Sequence, residues 1–77
     1  MGYQLGRCYL DTILHEIGWS QKDLSDYTEI DKTTLSKYVK GSRTISYLNS
    51  IIITETIYER TGKRYSPSDL YEVIKTG

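Results

Sequence analysis

The chain has no phenylalanine, one cysteine, one proline and no surplus charge of either sign. Each shortage removes a class of protein. A lone thiol, Cys8, cannot close an internal disulfide, so the fold stands on packing alone, as suits a reducing compartment. The longest aliphatic run is Ile51-Ile52-Ile53, far short of the roughly 20 apolar residues that span a bilayer. The opening MGYQLGRCYLD has no basic stretch leading into an apolar one. No secretion signal is therefore read there, and a cytoplasmic location is the default expectation. Glycine-rich phosphate loops, nucleophile elbows and metal constellations are missing as well. No catalytic residue, metal, cofactor or small-molecule ligand is expected, and the chain does not read as an enzyme. His15 stands alone with no second ligand at metal spacing. Cys8 has no base beside it and reads as a packing thiol.

What remains is a short chain with eight tyrosines and strong helical spacing. Its 77 residues suit one domain over 1–77. A chain of that size buries only about 60–65% of its unfolded surface, so the core is small. Leu10, Ile13, Leu14 and Ile17 recur at helical intervals on one face. Tyr3 and Gly6 fall on the same stripe, so a first helix is predicted from about residue 4 up to Gly18. Trp19 precedes a new cap, where an apolar residue staples a helix start.

Ser20 then offers an N-cap for a helix over 21–27 with Leu24 facing inward. Thr28 and Glu29 form a turn and Ile30 plugs it. Asp31 offers a second cap, for a helix over 32–39 with Leu35 and Tyr38 inward. A fourth helix is predicted from about 46 to 59 or 60, with Gly62 as its stop. Its inner face is read on Leu48, Ile52 and Thr56, and Ile51, Ile53 and Ile57 spread around the rest. Ser66-Pro67-Ser68-Asp69 combines a cap, a first-turn proline and an acid three residues on. That predicts a fifth helix over 67–74, with Leu70, Val73 and Ile74 available for packing. The expected fold is all-α, a compact five-helix domain.

The stretch SQKDLSDYTEIDKTTLSKYVKG, over 20–41, is the most informative. Two short helices with a tight connection are the layout of a helix-turn-helix, which presents its second helix to a DNA groove. The chain resembles the phage-repressor family of Cro, lambda repressor and XRE-type bacterial regulators. The resemblance is ungapped from about Leu10 to Gly41 and looser through Leu70-Tyr71. The family's apolar residue, Ser/Thr-Gln, two polar residues and Leu-Ala appear here as Trp19-Ser20-Gln21-Lys22-Asp23-Leu24-Ser25. Lys40-Gly41 matches the end of its recognition helix, and Asp69-Leu70-Tyr71 an acidic-Leu-Tyr cluster. Three positions depart from the family: Thr28 where an aliphatic residue is usual, Glu29 where glycine is common, and Val39 where glutamate is common.

The resemblance implies a lambda-repressor-like fold and a small sequence-specific DNA-binding regulator of phage, prophage or bacterial repressor type. Lys32, Thr33 and Lys37, with Ser36 beside them, correspond to base-reading positions. Gln21, Lys40, Ser42, Arg43 and Thr44 correspond to phosphate contacts, and Tyr47 joins them from beside the basic loop. Charge supports that reading locally. Over 11–31 six acids stand against Lys22, whereas over 32–54 Lys32, Lys37, Lys40 and Arg43 stand with no acid. A Debye length of about 8 Å makes such local charge matter more than the total. The plain reading of the same block is a solvated helix face. The expected partner is double-stranded DNA, with a homodimer formed through the fourth helix and the C-terminal third. The alternative is a helix-turn-helix retained to bind another protein, for which zero net charge, the acidic first half and the three departures speak.

Overall fold

A computed structural model of the protein describes residues 2–76. Four α-helices make its body: α1 (Leu10–Ile17), α2 (Gln21–Thr28), α3 (Lys32–Lys40) and α4 (Tyr47–Thr61). Two strands flank them in sequence, β1 (Gly2–Cys8) and β2 (Tyr71–Thr76), and a 3₁₀ turn, Pro67–Leu70, leads into β2. One side of each helix meets a common core. Leu10, Ile13 and Leu14 come from α1, Leu24 from α2, Leu35 and Tyr38 from α3, and Ile53 and Ile57 from α4. Ile30, Ile45 and Leu70 enter from the connections. No helix among the described residues is long and apolar enough to cross a membrane.

The helix starts follow their caps. Ser20 Oγ accepts from the Asp23 N–H at 3.1 Å, and Asp23 Oδ2 accepts from the Ser20 N–H at 3.0 Å, a reciprocal capping box. Ser46 accepts from the Asn49 N–H and sets the start of α4. Asp31 occupies the cap position of α3 but makes no side-chain capping bond. The inner face of α4 also departs from expectation. It is built on Ser50, Ile53, Thr54 and Ile57, and Leu48 points to solvent. Ser50 and Thr54 can be buried because each hydroxyl donates back to the helix, Ser50 to the Tyr47 carbonyl at 2.6 Å and Thr54 to the Ser50 carbonyl at 2.9 Å.

The all-α, five-helix expectation is corrected at both ends. The Ser66–Asp69 capping box does form, with Pro67 at the first position, yet the helix it opens stops after one turn. Leu70 is fully buried there, and its carbonyl accepts from the Tyr9 N–H at 2.8 Å. That bond ties the turn to the start of α1 and leads the chain into β2. Tyr71, Val73, Ile74 and Thr76 are aromatic or β-branched and suit an extended chain. The expected first helix likewise begins at Leu10, because residues 2–8 pair with β2. The pairing is antiparallel, with Gly2 opposite Thr76, Tyr3 opposite Lys75, Gln4 opposite Ile74, Leu5 opposite Val73 and Cys8 opposite Tyr71. Between the last two pairs Gly6 and Arg7 face Glu72 alone, a bulge in β1. The Tyr71 hydroxyl accepts from the Ile45 N–H at 3.0 Å, fastening the base of the ribbon to the connection before α4.

Candidate nucleic-acid interface

The connection between α2 and α3 determines how α3 is presented. Glu29 takes a left-handed conformation, φ 62°, and its N–H closes α2 on the Ser25 carbonyl. For a residue with a Cβ this conformation costs about 1–2 kcal/mol, so neighbours must hold it. Thr28 Oγ1 donates to the Leu24 carbonyl at 2.7 Å and accepts from the Ile30 N–H at 3.2 Å. Ser25 Oγ donates to the Ile30 carbonyl at 2.6 Å. Both backbone groups of Ile30 are thereby satisfied while its side chain plugs the core. Sequence reasoning missed these two hydroxyls, although their signal was present: threonine and serine within five positions of a turn commonly bond locally to backbone.

On the other side of α3 nothing among the described residues covers the helix. Gln21, Lys32, Thr33, Ser36, Lys37, Lys40 and Ser42 line one open depression. Three ammonium groups and no carboxylate belong to that lining. Lys32, Thr33, Lys37 and Lys40 are exposed, and Ser36 and Gln21 are half-buried. Gln21 comes from the first turn of α2, so the depression is walled by both helices of the motif. A second depression adjoins it, sharing Gln21 and Lys32 and adding Asp11, Leu14, His15, Trp19, Ser20 and Lys22. Asp11 and His15 lie 3.8 Å apart there, a pairing with no signal in sequence beyond their spacing of four.

Gly41 ends α3 in the left-handed region, φ 79°, which glycine adopts without strain. The Lys37 carbonyl accepts from the Gly41 N–H, from the Ser42 and Arg43 N–H groups at 3.0 and 3.3 Å, and from Ser42 Oγ at 3.3 Å. Ser42 thus commits its hydroxyl proton to fixing the loop. Arg43, Thr44 and Tyr47 are exposed but lie outside the depression's lining. The structure therefore gathers Gln21, Lys32, Thr33, Ser36, Lys37, Lys40 and Ser42 into one surface and leaves the other three candidates beside it. No group of three or more histidine, cysteine or acidic side chains able to hold a metal occurs among the described residues.

Two short helices at a tight, locally bonded turn, the second uncovered and basic, define a helix-turn-helix protein. A family model described as Helix-turn-helix matches residues 13–57, more than half of the chain. The chain belongs to that family, a group of DNA-binding domains of XRE type. No curated protein and no solved structure gives a significant match.

Proposed function

We propose that the protein is a sequence-specific DNA-binding transcriptional regulator, a repressor of phage, prophage or bacterial type, that acts by occupancy. In this reading α3 enters the major groove and Lys32, Thr33, Ser36 and Lys37 meet base edges. A lysine suits the guanine O6 and N7 acceptors, and a threonine methyl suits the thymine methyl. Lys40, Arg43, Thr44 and Tyr47 grip the phosphates beyond the end of α3, and Gln21 those near the start of α2. Ser42 serves by holding the loop that carries Arg43. The observation that carries the reading is the composition of one depression: three lysines, two hydroxyls of α3 and no acid on an uncovered helix.

Titration against duplex DNA over a range of salt tests it. Four cations per subunit, Lys32, Lys37, Lys40 and Arg43, give an expected log–log slope of about −3.6 per subunit. Selection of bound duplexes from a random pool should then enrich one short motif. A flat salt response together with no enriched motif would sink the reading in favour of a protein-binding module.

A further inference from the structure

We propose that the second depression, beside the basic face of α3, is a pH-sensitive subsite for a DNA phosphate, its charge set by the Asp11–His15 pair. The inference rests on the DNA reading of α3. The two depressions share Gln21 and Lys32, so a backbone phosphate held by Gln21 sits on their common border. Beyond that border the charged lining is drawn from all three of the first helices. Asp11 and His15 come from α1, Lys22 from α2 and Lys32 from α3.

These charges do not all favour a phosphate. Lys32 and Lys22 attract it, although Lys22 also lies 3.7 Å from Asp26. Asp11 repels it, and it is the one acid on the lining of either depression. Other acids nearby are turned to different partners: Asp23 accepts from the Ser20 N–H, and Glu16 from the Tyr65 hydroxyl. With His15 neutral, the charge of Asp11 stands against the phosphate. A protonated imidazole 3.8 Å away cancels that charge and makes both ring nitrogens donors. Histidine is the side chain that changes charge between about pH 5 and 8, and the chain has one histidine. The His15 and Asp11 side chains are 82% and 54% exposed, so their pairing holds little of the fold and leaves the ring open to a ligand. Duplex affinity therefore rises as pH falls through the imidazole range, with the lysines charged throughout.

Titration of the full chain with a mixed-sequence duplex tests the inference, since phosphate contacts carry no sequence information. Low-salt measurements at about pH 8 and about pH 5.5 span a range in which ordinary carboxylates stay ionised. Affinity should be about three- to tenfold higher at the lower pH, with a salt slope steeper by up to about 0.9. His15→Gln should lose the pH response and stay at the weaker level. His15→Lys, with a fixed charge, should bind at both pH values as tightly as the wild type does at the lower one. Asp11→Asn should strengthen binding at the higher pH. Circular dichroism should show the same helical signal in all three, as exposed positions allow. A wild-type affinity level across the range, or a full rise retained by His15→Gln, overturns the proposal. Salt-dependent binding that ignores pH fails this inference alone and leaves the DNA reading standing. Binding to no duplex at either pH fails the DNA reading, and this inference falls with it.

Discussion

Lys37 and Arg43 carry the same charge into different surroundings. Lys37 lines the depression on α3, whereas Arg43 stands outside it on a loop whose N–H is bonded to the Lys37 carbonyl. Lys37→Ala is expected to relax base preference at one position, costing roughly 1–3 kcal/mol on the best site. Arg43→Ala should weaken every sequence alike and reduce the salt slope by about 0.9. Binding isotherms on selected and scrambled duplexes at several salt concentrations distinguish the two, and identical behaviour would mean the roles are misassigned. Glu29 offers a residue-scale test of the turn. Its left-handed backbone, φ 62°, suits glycine, whose greater freedom in the unfolded chain offsets part of the gain. Glu29→Gly should stabilise the protein by about 0.5–1 kcal/mol, readable as a melting point several degrees higher.

The 3₁₀ turn Pro67–Leu70 is the joint between body and ribbon, and one side chain anchors it. Leu70 is fully buried, so Leu70→Ala should cost about 2–5 kcal/mol in urea unfolding. Gly2→Ala, at the far end of β1 and half-exposed, should change stability by less than about 0.5 kcal/mol. The same joint shows where sequence reading succeeded and failed. Spacing made α2, α3 and the end of α1 legible to within a residue or two, because an apolar stripe marks each helix. The outward side of α3 was legible for the same reason: once Leu35 and Tyr38 face inward, Lys32, Thr33, Ser36 and Lys37 must face away from the core. The ends of the chain were not legible. The Ser66–Asp69 cap is a real helix signal, and a single long-range bond, Tyr9 N–H to the Leu70 carbonyl, helps turn residues 71–76 into strand. Tyr3-Gln4-Leu5 alternates with period two, but its partner lies at the opposite end of the sequence, beyond the reach of any local pattern. On α4 the run of isoleucines pointed to the wrong inward face, Leu48, Ile52 and Thr56, whereas Ser50, Ile53, Thr54 and Ile57 are buried, the two hydroxyls bonded to their own backbone.

At the scale of the whole molecule, two tyrosines join distant segments and link stability to pH. Tyr65 donates to Glu16 Oε2 at 2.8 Å, and that bond, aided by partial burial and the charge of Glu16, raises its pKa above the ordinary 10.0. Burial raises Tyr71 as well, partly offset by the Ile45 N–H that its oxygen accepts. Both groups keep their protons to higher pH folded than unfolded. Their contribution is fully present below about pH 10 and is lost as pH rises through the folded values. Thermal melts should therefore be level up to about pH 10 and fall beyond it, and Tyr65→Phe should make that fall shallower. The pairing of β1 with β2 has a consequence in time. During synthesis β1 leaves the ribosome ahead of β2 and finds that partner only after translation has passed α1 to α4. The nascent helical bundle therefore forms around a strand that waits, and the ribbon closes only after the helices have been made.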